Sequence, residues 1–344
     1  MMRNVPRARI SISMDVVREV EAIVRWYLRV AYGRWEGVGC PPFFCEPETI
    51  GRFAIDLDKL RVRDEQALFQ LLVTLSLYQS RRDADVMTIQ RRMGRDDATT
   101  MTSYRRLRVL IEESRCDLMR AAESFDSSCD VHRDFDRAGL AACGYRPRTV
   151  CHVKTATKAI GRMGDMGKLP TSAILHLGPR GINGLIDDAI STIDSPHDRA
   201  TWLVKRLAEI YRIGLKLASL YVSALSTDEL SPGNAVLSPA LRGEHIVVVD
   251  ANVLRLLSVW RRRSRGSKTY GAHAEWIIRV AERIDLARID RRLPSFSPRF
   301  VQQALYVFGS RSNRTVKRDP CAASPCDECP SQTCPFHINE GEIA

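Results

Sequence analysis

The chain has 344 residues, 44% hydrophobic and 27% charged, with 52 Lys and Arg against 41 Asp and Glu for a net charge of +11. This composition excludes a disordered or fibrous chain and leaves length for one large domain or two. A basic surplus of this size points to a polyanionic partner, nucleic acid before an anionic membrane. The N-terminus lacks the apolar core of a secretory signal, and the most apolar run, 67–77, contains Gln70 and is too short to span a bilayer. A cytoplasmic chain without a membrane partner is therefore expected, its ten cysteines reduced rather than paired.

In chain order, Val16, Val17, Val20, Ile23, Val24, Tyr27 and Leu28 make an amphipathic helical stripe over 11–31. Gly and Pro between 37 and 47 predict a loop. Leu68, Leu71, Leu72, Leu75 and Tyr78 predict a strongly apolar helix from Asp64, and helices continue over 84–93, 101–123 and 148–161. Five glycines and two prolines in 164–184 predict a loop, with Gly178 to Gly181 as a tight turn before a helix over 182–193. Helices follow at 198–210 and 215–225, then a loop to His245 and a short extended run, Ile246 to Val249. The last helices fall near 250–260, 272–284 and 298–308. No strand alternation and no internal repeat is visible, so the expected class is all-α.

Four thiols, Cys321, Cys326, Cys329 and Cys334, fall within fourteen residues near the C-terminus, with prolines between and after them. Soft thiolates at this density suit a metal site, either a tetrahedral zinc or an iron–sulfur cluster, and spacing alone does not choose. The scattered Cys40, Cys45, Cys116, Cys129, Cys143 and Cys151 read as structural.

Leu203, Leu207 and Ile210 form one apolar stripe, and Leu217, Leu220, Tyr221 and Ala224 form another beyond Gly214. The pattern is a helix–hairpin–helix. Free amides at the start of its second helix can hold a phosphate, although an ordinary helix corner has the same signature. Lys216 sits in the first turn of that helix, where the dipole disfavours a cation, as a nucleophilic amine needs. A solvated surface lysine is the plainer reading. Asp250, after an apolar run and before a helix, reads by itself as an N-cap.

Taken in order, these pieces resemble the endonuclease III branch of the helix–hairpin–helix DNA glycosylases. Arg212-Ile-Gly214-Leu-Lys216-Leu-Ala218 is similar to the family's G-V-G-x-K-x-A, and Val249-Asp250-Ala-Asn252-Val-Leu-Arg255 to its V-D-x-H-V-x-R. Phe69 to Gln79 resembles an early helix of the family, with Gln79 one residue early, and Ala304 to Gly309 resembles the helix before the cysteines. The likeness runs with gaps from about 65 to 336. Tyr211-Arg212 replaces the usual Pro-Gly, Asn252 the usual His, and the cysteine gaps are tighter than the family's.

The resemblance implies a two-lobed all-α fold: an N-terminal extension over 1–63 whose helix packs on the cluster lobe, a helical barrel over 64–245, a cluster lobe over 246–336 and a tail over 337–344. It implies a [4Fe–4S] cluster on Cys321, Cys326, Cys329 and Cys334, with zinc as the alternative. It further implies a monomer that acts on double-stranded DNA as a glycosylase and AP lyase. Lys216 would be the amine attacking the sugar C1′ and Asp250 its assisting carboxylate. Gln79 would fill the space of the flipped nucleotide, and Arg212, Ile213, Gly214, Arg261, Arg262 and Arg263 would contact the backbone. An oxidised pyrimidine is the expected substrate. An 8-oxoguanine-type purine and a non-catalytic iron–sulfur DNA-binding protein are the alternatives.

Overall fold

The computed structural model describes residues 12–33, 41–79, 81–131, 151–261 and 267–311. Among these residues there is no strand. The helices of seven residues or more are α1 (Met14–Val30), α2 (Glu65–Ser76), α3 (Asp83–Arg92), α4 (Arg95–Thr102), α5 (Tyr104–Glu112), α6 (Ala122–Ser128) and α7 (His152–Ala159). They continue as α8 (Leu169–Leu177), α9 (Gly181–Thr192), α10 (Pro196–Leu207), α11 (Leu215–Ser226), α12 (Ala251–Trp260), α13 (Tyr270–Ala281) and α14 (Pro298–Arg311). The chain divides into two units, Met1–Trp35 with Glu244–Ala344, and Glu36–Gly243.

In the unit Glu36–Gly243, two helices are apolar on every side and form the centre, as a fully buried helix must. α2 is buried from Ala67 to Ser76 except at the half-buried Gln70, and α11 from Leu217 to Ser226. They are joined where the buried hydroxyl of Tyr221 donates to the Leu68 carbonyl at 3.0 Å. Asp64 starts α2 by accepting the Ala67 amide at 3.0 Å, the capping bond its place before the apolar run predicts. Residues 41–61 also pack in this unit, where Gln70 donates to the carbonyls of Phe53 and Ala54 at 3.2 and 2.8 Å.

Two sequence expectations change here. The single helix over 101–123 is broken at Ser103, which ends α4 and caps α5 by accepting the Arg106 amide at 3.3 Å. A second break separates α5 from a 3₁₀ turn at Asp117–Arg120 and then α6. The loop expected over 164–184 instead holds a 3₁₀ segment, Gly161–Lys168, and the helix α8. Pro170 is tolerated because it lies in the first turn. Gly167 serves close packing: a Cβ there would meet the Thr157 backbone at 2.6 Å.

The other unit is built on α14, buried from Pro298 to Ser310. α1, α12 and α13 pack on it. Trp26 and Tyr27 of α1 meet Phe308 and Phe300 edge to face at 5.3 and 5.5 Å. The run Ile246 to Val249 has no regular secondary structure and no sheet partner among the described residues. The Tyr270 hydroxyl holds it, accepting the Val249 amide at 3.3 Å and donating to the Val247 carbonyl at 3.0 Å. No helix among the described residues is long and apolar enough to cross a membrane.

Candidate functional site

The hairpin expected from the sequence is present as two packed helices, α10 and α11, joined by 208–214. α10 begins at Ser195, whose hydroxyl accepts the Asp198 amide at 3.3 Å, and Pro196 stands at its first position. The turn places its unusual backbone at Arg212, with φ +63°, and leaves Gly214 at an ordinary φ of −81°. The left-handed conformation thus falls where the sequence has Arg212 in place of the resembling family's glycine. A non-glycine residue there costs roughly 1 kcal/mol. Two contacts hold it: Arg212 reaches the Asp165 carboxylate at 3.2 Å, and the Tyr211 amide donates to the Ser172 hydroxyl at 3.0 Å.

α11 then starts without a side-chain cap. The amides of Leu215 and Lys216 have no intrahelical acceptor, whereas that of Leu217 donates to the Gly214 carbonyl at 3.1 Å, and space around Gly214 is open: a Cβ there would meet nothing within 4 Å. Leu215 is 49% exposed and Lys216 is half-buried beside it. This end of the helix is a bare, partly positive terminus with a lysine in its first turn and Arg212 before it. Ile213 has a buried side chain, and its amide donates to the Ile210 carbonyl at 2.9 Å.

The rival turn, Gly178 to Gly181, is built alike but closed. Glu65 of α2 accepts the amides of Ile182 and Asn183 at 2.7 and 3.0 Å, so the start of α9 already holds an anion of the protein's own. Gly181 has φ +64°, and a Cβ on it would meet the Glu65 carboxylate at 2.3 Å. Of the two hairpins, only that of α11 presents a bare helix start.

Asp250 is the N-cap of α12: one carboxylate oxygen accepts the Val253 amide at 2.8 Å and the other the Asn252 side-chain amide at 3.3 Å. The first turn of α12 lies against α14 because Gly309 has no side chain, since a Cβ there would come within 2.9 Å of the Asn252 carbonyl. Arg255 adds a bond to the Gly309 carbonyl at 2.6 Å. Gln79 turns back on its own helix end, its amide donating to the Ser76 carbonyl at 2.6 Å. Arg261 follows α12 and is engaged by His273 at 2.6 Å and the Ser267 carbonyl at 2.9 Å. Arg262, Arg263, Cys321, Cys326, Cys329 and Cys334 lie outside the described residues.

Sequence reasoning missed Lys168. Its side chain is 1% exposed, its ammonium donates to the Asp126 carbonyl at 2.9 Å, and it lies 4.4 Å from the centroid of the Tyr211 ring. Burial lowers its pKa from the ordinary lysine value. Beside it the Asp126 carboxylate meets His176 at 2.9 Å. Nothing in the sequence distinguishes this lysine from a surface one. Cys129, in the same apolar cluster, has its thiol pushed up to about 11 by burial, which makes it an inert packing residue. Among the described residues no group of His, Cys, Asp and Glu could hold a metal ion. No family model, no curated protein and no solved structure matches this chain.

Proposed function

We propose that this protein is a DNA base-excision enzyme of the endonuclease III type, a glycosylase with AP-lyase activity. The carrying observation is the bare start of α11, with Lys216 in its first turn, set against the closed start of α9. Amides at the α11 terminus would grip a phosphate without reading sequence, and the net charge of +11 would strengthen that grip at low salt. The target nucleotide would leave the stack at a cost on the order of a few kcal/mol.

Lys216 is then the nucleophile. Its amine attacks C1′ of the sugar, the base departs with the electrons of the glycosidic bond, and the resulting Schiff base permits elimination of the 3′ phosphate. Asp250 is the assisting carboxylate. Fixed by Val253 and Asn252, it suits stabilisation of developing positive charge on the sugar. Gln79, Arg212, Ile213 and Gly214, with Arg261, Arg262 and Arg263, are assigned to DNA contact. For Cys321, Cys326, Cys329 and Cys334 a [4Fe–4S] cluster is assigned on spacing and resemblance, with no step of the reaction routed through it. Oxidised pyrimidines are the first substrates to test.

The test is borohydride trapping on a duplex bearing one abasic site. A covalent adduct in the wild-type protein that vanishes in Lys216→Ala supports the reading. An adduct that survives Lys216→Ala removes the nucleophile assignment, and duplex binding with no adduct in either protein leaves a binding module in place of an enzyme.

A further inference from the structure

We propose that Lys168 is the positioning residue of the hairpin: its buried ammonium, set against the ring of Tyr211, holds 208–214 in the shape that leaves the start of α11 open. What that shape is used for rests on the DNA-binding reading above; the clamp itself rests on geometry.

A residue with φ +63° and a full side chain does not take up that conformation by its own preference, so Arg212 needs an external hold that a glycine would not need. The hold comes from one neighbouring stretch, 165–172. Asp165 takes the Arg212 guanidinium at 3.2 Å, Ser172 takes the Tyr211 amide at 3.0 Å, and Lys168 between them meets the Tyr211 ring at 4.4 Å.

Lys168 and Ser172 are the buried members of this set, and Lys168 is anchored from behind. Its ammonium donates to the Asp126 carbonyl on α6 at 2.9 Å and also lies 5.4 Å from the Phe125 ring. A desolvated ammonium on an aromatic face is among the stronger forms of that attraction. An apolar side chain could fill the same space but would exert no such pull on the ring. The charged and titratable groups that face Lys168 are Cys129, Asp126 and Asp130 from α6 and the residues after it, and Arg212 from the hairpin. His176 of α8 reaches the same Asp126.

Amide hydrogen exchange, measured without DNA on wild type, Lys168→Met, Tyr211→Leu, Tyr211→Phe and the Lys168→Met/Tyr211→Leu double variant, decides the matter. The Ile213 amide, bonded to the Ile210 carbonyl at 2.9 Å, reports the closed turn, and amides in the buried half of α11 report the fold. With α11 protection retained, Lys168→Met and Tyr211→Leu should each speed exchange at Ile213 by about tenfold, because local opening follows the lost contact. The double variant should go no further than either single one, and Tyr211→Phe, which keeps the ring, should stay within about twofold of wild type. Tyr211 is partly exposed, so Tyr211→Leu keeps the test open even where Lys168→Met unfolds. Unchanged Ile213 exchange in a folded Lys168→Met or Tyr211→Leu protein, or additive effects in the double variant, overturns the clamp. Duplex affinity is measured separately on the same proteins. A wild-type protein that binds no duplex sinks the functional reading while exchange at Ile213 still decides the clamp.

Discussion

The carboxylate of Glu65 accepts the backbone amide of Ile182 at 2.7 Å, across 117 residues of sequence, and this bond separates two otherwise similar hairpins. It places an internal anion at the start of α9, whereas the start of α11 has no side-chain cap. Glu65→Ala should therefore destabilise the fold by about 1–2 kcal/mol, the loss of a helix-capping acceptor, in denaturant melts. It should leave duplex affinity unchanged. An affinity gain, from the freed amides of Ile182 and Asn183, would show that the α9 start takes the phosphate as well.

Gly214 gives the sharpest separation of stability from binding. Its backbone is in a region any residue adopts, and a Cβ meets nothing, so Gly214→Ala should keep the fold, the narrower unfolded ensemble offsetting a poorer N-cap. The added methyl stands where a phosphate would approach the first amides. Duplex affinity by anisotropy should fall about tenfold or more, a loss of about 1.4 kcal/mol in binding with folding stability retained. Equal affinity in the two proteins would rule out a phosphate at this terminus.

Arg212→Gly acts in the opposite sense on the backbone. It relieves the left-handed strain, a gain of roughly 1 kcal/mol. It also removes the ion pair with Asp165, whose two side chains are 47% and 34% exposed, so that solvent screening limits the loss to a few tenths of a kcal/mol. The net change in thermal melts should be stabilising. If Arg212 also contacts the DNA backbone, the slope of log affinity against log salt should become shallower by about one unit of charge.

His152 sets an acid limit on stability. It is buried, its ring meets the Thr171 hydroxyl at 3.0 Å, and burial lowers its pKa from 6.5 to about 4. The unfolded chain then binds the proton more tightly than the folded one. Stability is complete above pH 6.5 and is lost as pH falls toward 4, by on the order of 3 kcal/mol for this group. His152→Leu should flatten the pH dependence of urea midpoints across that window, and an unchanged slope would show that other groups govern it.

The sequence by itself determined the helices whose signals are local. Apolar residues at helical spacing marked α1, α2, α10 and α11, and Asp250 stands before its helix as the cap because a short acceptor beside free amides is decided within four residues. Glycine was ambiguous for a physical reason. The same residue serves a loop and a close approach, and at Gly167 only the Thr157 backbone lying alongside shows which. The break at Ser103 was hidden because it carries neither Pro nor Gly. The hairpin was legible; which hairpin is open was not. That depended on Glu65 reaching α9 and on Asp165, Lys168 and Ser172 holding Tyr211 and Arg212. Such contacts join residues far apart in the chain, and their strength comes from burial, which no local pattern records and only the packed structure supplies.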